Sequence, residues 1–192
     1  MPGSSLWLLP PTSHPLNAIL ASLIQKVSAH FGSPHVFLPH VTLTSEIQPS
    51  SYSLDPQKWL NQIEFPEGKY VHVKFGRLNS EDVFVRKLYI KVSKSGVDKL
   101  GKTARMTVNG YEDEEAAKKW TEEKYVPHLS LLYHDCSQVP GKVIEAIEKM
   151  VREAGVSLEG KGELGGWEGG RVVLVPTDQP INTWDPIAER EL

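Results

Sequence analysis

This 192-residue chain has one cysteine, Cys136, so it cannot form an intrachain disulfide, and a reducing compartment is the natural setting. It also lacks any apolar run long enough to cross a bilayer, and its first residues lack the basic-then-apolar pattern of a secretory signal. No low-complexity linker divides it. Charge is nearly balanced at −3, which removes any general attraction to the phosphates of a long nucleic acid. A small anion remains possible, because it needs only a local site. His14, His30, His35 and His72 are scattered, so no metal-ligand spacing stands out. These absences leave a soluble cytoplasmic protein as the expectation.

What is present alternates between strand and helix patterns. Residues 5–9 read as a short apolar strand stopped by Pro10 and Pro11. Over 15–30, Leu16, Ile19, Leu20, Leu23, Ile24 and Val27 recur at helical spacing until Gly32, Ser33 and Pro34 break it. A strand is expected from about Val36, and a short helix from Asp55-Pro56 through Ile63. Residues 70–75 and 83–92 alternate as two antiparallel strands, and 95–107, 112–124 and 140–154 read as helices. Residues 171–175 make a buried strand after a glycine-rich segment. The expected fold is α+β, with two similar halves joined near residues 80–110.

Two strings carry the chemistry. LPHVTL at 38–43 and VPHLSL at 126–131 each place Pro, His, an apolar residue, a hydroxyl residue and Leu in order. As strands of period two, they set His40 with Thr42, and His128 with Ser130, on one face, with apolar residues behind. Imidazole moves protons near neutral pH, and a neighbouring hydroxyl can donate to a phosphate oxygen. Two facing units would let one histidine take a proton from water while the other gives one to a leaving oxygen. At this composition the pattern arises by chance in roughly a few chains per thousand, and two copies on the order of once in a hundred thousand. A duplicated scaffold without a site is the plainer alternative, but burying an apolar face does not require His and hydroxyl in register.

With SSLWLLP at 4–10, FLPHVTL at 37–43 and VPHLSLLY at 126–133, the chain resembles the 2H phosphoesterase superfamily. Within it, the chain is most similar to the fungal and plant cyclic phosphodiesterases. That resemblance implies a single domain over 1–192, with two pseudo-symmetric lobes whose antiparallel sheets, backed by helices, flank a central cleft. It implies action on 2',3'-cyclic nucleotides and on ADP-ribose 1'',2''-cyclic phosphate, a by-product of tRNA splicing, with no cofactor and no metal. His40 and His128 match the catalytic histidines, Thr42 and Ser130 the phosphate-binding hydroxyls. Tyr133 and Trp7 match aromatic positions at the substrate site. His40 is expected as general acid and His128 as base, although nothing in the sequence separates the two. The resemblance further implies a monomer with a small cyclic phosphate as its partner and no stable nucleic-acid complex; fungal relatives are associated with the Golgi. A non-catalytic module binding nucleotides or RNA ends in the same cleft is the competing reading. Strict alternation turns Tyr133 away from His128, so it reaches the site only if the strand bends or ends near Leu132.

Other signals carry less. Gly96 to Thr103 matches the phosphate-loop pattern G-x-x-x-x-G-K-T, which arises by chance in about one chain per hundred, and the alternating strand before it is wrong for that fold. His134-Asp135 lacks further ligands. Cys136 reads as a packed thiol, and Trp59 and Trp120 read as helix-face packing. Trp167, among glycines, is the candidate for a mobile cap over the substrate, with Trp184 a further residue able to stack a base.

Overall fold

The computed structural model describes residues 3–192. In it β1 (Ser4–Leu9) has all six residues buried and a strand paired along each of its edges. On one side β2 (Val41–Ile47) runs antiparallel to it, and on the other β7 (Arg171–Pro176), in unbroken register from Ser4↔Pro176 to Leu9↔Arg171. Beyond β7 lies β8 (Ala188–Glu191). On the far side of β2 come β5 (His128–Leu132), β4 (Leu88–Val92), β3 (His72–Asn79) and β6 (Gly166–Glu168). All eight strands form one antiparallel order with β2 and β5 as the middle neighbours, so each half of the order carries one motif. The fold is α+β.

Helix α1 (Leu16–Phe31) follows the apolar spacing, burying Leu16, Leu20, Leu23, Ile24 and Val27 on one face. Each such side chain contributes roughly 1.5–3 kcal/mol by leaving water. Gly32 ends the helix in the left-handed region, φ 69°, where a side chain would be strained. Short α2 (Pro49–Tyr52) precedes α3 (Pro56–Gln62), whose first turn is capped by the Asp55 carboxylate accepting from Lys58 N at 2.9 Å. Asp113 caps α5 (Glu114–Glu123) in the same way, and α6 (Gly141–Glu153) buries Ile147 and Val151.

Beyond their meeting point β2 and β5 diverge: the pairing between them is the single one Val41↔Leu129. Helix α4 (Asp98–Arg105) packs on β2, and α5 packs on α4. From there Arg105 donates to Ser45 O and Thr44 Oγ1, and Tyr125 Oη donates to Thr42 O, giving carbonyls on the open edge of β2 the partners that a strand would otherwise supply. The Arg105 guanidinium lies over the rings of Tyr111 and Trp120, at 3.8 and 4.7 Å.

Several boundaries differ from the sequence reading. Residues 36–40 belong to no strand, so β2 begins at Val41 rather than Val36. The stretch expected as a strand over 83–92 starts with a 3-10 turn at Phe84–Arg86, and only Leu88–Val92 pairs. β6 and β8, of three and four residues, are too short to show a period. No helix among the described residues is long and apolar enough to cross a membrane.

Candidate active site

The two Pro-His steps build the same local device. His40 Nδ1 lies 2.6 Å from Leu38 O, and His128 Nδ1 lies 2.7 Å from Val126 O. In each copy the carbonyl belongs to the residue before proline, whose locked φ fixes where that carbonyl sits relative to the next side chain. A carbonyl only accepts, so each neutral ring carries its hydrogen on Nδ1 and leaves Nε2 as the free base. The sequence repeat is therefore also a repeat of tautomer.

The surroundings of the two rings differ. His40 is buried and stacks flat on Trp7, with ring centroids 3.7 Å apart at 8°. Trp7 pairs with Thr42 across β1 and β2, which puts the Thr42 hydroxyl on the same face of the sheet. Tyr133 Oη lies 3.5 Å from His40 Nε2. Its ring stacks on Phe37 at 3.8 Å, and its carbonyl accepts from Ser33 Oγ at 2.7 Å. The alternation problem resolves because β5 stops at Leu132, freeing the next residue to turn toward His40.

Around His128 the contacts are polar. Tyr89 meets it edge-on at 5.1 Å and stands opposite Ser130 in the β4–β5 register. The Tyr89 hydroxyl donates to Glu81 Oε1 at 2.5 Å and accepts from Asn79 Nδ2 at 2.7 Å, while Glu81 Oε2 holds Arg86 Nη2 at 2.8 Å. Ser130 Oγ donates to Val85 O at 2.7 Å, so the turn Phe84–Arg86 docks directly onto the second motif.

These environments set the protonation states. Burial pushes His40 down to about 3; the Leu38 carbonyl opposes this, and the nearby charge of His128 adds to it. His128 is also lowered, again chiefly by burial; the Val126 carbonyl and Glu81 pull it back, and Arg86 works against protonation. Burial raises Tyr133, so its phenol stays protonated and able to donate. At neutral pH both imidazoles are thus neutral in the free protein.

The sequence matches the family described as cyclic phosphodiesterase-like protein over residues 1–192. The chain belongs to that family. A relative from Phaeosphaeria nodorum is 57% identical, covering 100% of both chains, and one from Neurospora crassa is 42% identical with the same coverage. A third, from Yarrowia lipolytica, is 27% identical over 98% of this chain and 99% of its own. All three are named 2',3'-cyclic-nucleotide 3'-phosphodiesterase.

The structure thus gathers Trp7, His40, Thr42, Tyr133, Ser130 and His128 around the β2–β5 meeting point of this cyclic phosphodiesterase-like chain. Trp167 is not a mobile cap: it lies in β6, buried edge-on against Phe75 at the outer end of the sheet order. A second tryptophan beside the site is Trp184, 5.9 Å from Trp7 and 6.2 Å from Tyr133. Sequence reasoning named it only as one more ring able to stack, since the sole signal is an aromatic residue in a proline-flanked segment. The residues of the turn at 81–86 and of Tyr89 were missed because they read as ordinary strand alternation.

The weaker motifs resolve structurally. Gly101, Lys102 and Thr103 sit inside α4, Gly101 facing the Tyr125 ring and Lys102 paired with Glu114 at 2.6 Å, so no phosphate-cradling loop forms. His134 Nδ1 accepts from Cys136 N at 2.8 Å in a tight local turn. Among the described residues no group of three or more His, Cys, Asp and Glu could hold a metal ion.

Proposed function

We propose that this chain is a 2',3'-cyclic-nucleotide 3'-phosphodiesterase acting without a metal. The observation that carries the reading is the doubled device: two histidines with the same fixed tautomer, each followed in register by a hydroxyl, at one junction of the sheet. Water attacks phosphorus opposite the 3' oxygen, and His128 Nε2 takes its proton. The P–O3' bond breaks, and His40, as imidazolium, gives its Nε2 proton to the departing oxygen, leaving a 2'-phosphate. Thr42, Ser130 and Tyr133 donate to the phosphate oxygens as negative charge builds. ADP-ribose 1'',2''-cyclic phosphate presents the same strained ring and gives the 1''-phosphate, which supports a link to tRNA splicing. One domain of two lobes, a monomer and a cytoplasmic setting belong to the same proposal.

His40 is neutral in the free protein, so the acid role requires the bound phosphate's negative charge to favour the imidazolium and draw a proton onto Nε2 from solvent. The test is to incubate the protein with EDTA and either cyclic phosphate, following products by phosphorus NMR beside His40→Ala and His128→Ala. Opening to a single monoester, lost in both variants, is the expected result. A folded wild type that binds these compounds without turning them over would overturn the proposal in favour of a binding module.

A further inference from the structure

Tyr133 follows the second motif in sequence, yet its contacts reach into the first. Its hydroxyl lies 3.5 Å from His40 Nε2. Burial raises the phenol, and the Ser130 hydroxyl beside it opposes that rise. The phenol thus stands between the proton carrier of one copy and the hydroxyl of the other. Because β5 ends at Leu132, the Tyr133 carbonyl has left the ladder while still inside the protein. Its donor comes from a residue 100 positions away: Ser33 Oγ, at 2.7 Å, in a buried bond. An unpaired buried carbonyl is costly, so this bond decides where the main chain at Tyr133 rests.

Ser33 is itself fixed. Its amide donates to Ser28 O at 2.8 Å in the turn that ends α1, and its oxygen accepts from His35 N at 3.2 Å. Ser28 Oγ then closes the turn on His35 O at 2.8 Å, and Pro34 locks the backbone between. Further along the same segment, Phe37 stacks on the Tyr133 ring at 3.8 Å and 14°, and Leu38 O receives His40 Nδ1. Residues 33–40 therefore hold Tyr133 at its carbonyl and at its ring while orienting His40. At 3.5 Å the phenol is at the outer limit of a hydrogen bond to His40, so a small displacement of Tyr133 breaks the contact.

We infer that Ser33 is a positioning residue: by holding the Tyr133 carbonyl, its hydroxyl aims the phenol at His40 Nε2 and at the phosphate bound beside it. Its effect on rate rests on the proposed phosphodiesterase reading; its effect on the geometry of the free protein does not. Ser33 touches no substrate and acts only through Tyr133.

The experiment is a double-mutant cycle of Ser33→Ala and Tyr133→Phe, with turnover of adenosine 2',3'-cyclic phosphate as one readout and the His40 ring as the other. Tyr133→Phe should lower kcat by about tenfold or more, the loss of one donor to developing charge. Ser33→Ala should lower kcat by about fivefold with KM nearly unchanged, since it misplaces that donor without removing it. In the Tyr133→Phe background the same Ser33→Ala change should alter kcat by less than about twofold, because the group it positions is gone. Losses that multiply, or a Ser33→Ala kcat equal to wild type, would overturn the inference. Ser33→Cys, close in volume but a weak donor, should fall between wild type and Ser33→Ala, and it carries the cycle if the alanine variant does not fold. NMR of the His40 ring nitrogens in the free protein reads the phenol contact without substrate. The Ser33 variant should move the Nε2 resonance in the same direction as Tyr133→Phe, and an unmoved resonance would overturn the inference. A wild type that turns over no cyclic phosphate but shows this coupled shift would retain the role of Ser33 and sink only the catalytic reading.

Discussion

The two copies of the Pro-His motif share a backbone and differ in everything that touches them. His40 and His128 each point Nδ1 at the carbonyl two residues back, with distances that agree within 0.1 Å. Yet His40 lies flat on an indole, with no carboxylate bonded to it among the described residues, whereas His128 faces a phenol bonded to Glu81, which in turn holds Arg86. The hydroxyls divide in the same way. Ser130 already donates to Val85 O, while the Thr42 hydroxyl has no hydrogen-bond partner among the described residues. Local sequence thus fixes tautomer and direction, and tertiary packing sets how readily each ring accepts a proton and how free each hydroxyl is to receive a phosphate.

The strongest way to break the symmetry is to delete each imidazole. His40→Ala and His128→Ala should each lower kcat by roughly 10²–10⁴-fold, measured with substrate saturating; a variant retaining wild-type kcat would show that its ring transfers no proton. Protonation comes next. Because the folded protein holds His40 well below its ordinary value, the unfolded chain binds more protons between pH 6.5 and about 3, and stability is lost as pH falls through that window. The slope is about 1.4 kcal/mol per pH unit, so this group costs about 2 kcal/mol at pH 5. His40→Asn should remove most of that loss, read as a smaller drop in urea midpoint between pH 7 and pH 5.

A finer contrast concerns the hydroxyls. Thr42→Val removes an uncommitted donor and should lower kcat/KM by tenfold or more, from about 1.5–3 kcal/mol for a hydrogen bond to a charged group. Ser130 must first give up Val85 O, so Ser130→Ala should cost less, a several-fold loss. The smallest expected effect is on His128 itself. Glu81→Gln removes a charge that favours the imidazolium and should lower its pKa; Arg86→Gln should raise it. NMR titration of the His128 ring would show both shifts, and shifts of the same sign would mean that the Glu81–Arg86 pair acts through structure rather than charge.

The motif histidines and hydroxyls were legible because one string is written twice, and a repeat survives without knowledge of the fold. Helix α1 was legible for a related reason, its buried face being set by spacing alone. Tyr133 resisted because its direction depends on where β5 ends, and nothing in LSLLY marks Leu132 as the last paired residue. Val83, Phe84, Val85 and Arg86 alternate as a strand does, yet fold as a turn whose Val85 carbonyl takes Ser130 and whose Arg86 takes Glu81. Trp184 and Trp167 look alike in sequence, each near glycines or prolines. Only tertiary contacts separate them: Trp184 packs on Trp7 and Tyr133, whereas Trp167 lies in β6 at the end of the strand order.

The single pairing of Val41 with Leu129 has a mechanical consequence. Each of these residues directly follows a motif histidine, so the one backbone pairing between the two halves of the strand order lies a step from both imidazoles. It is the point about which any rocking of the two halves would turn. If the halves rock about this point, the outer strands sweep through an arc while groups close to the pivot barely move. Substrate could then gain access by tilting of the walls, and the separation of the two proton carriers would survive the swing.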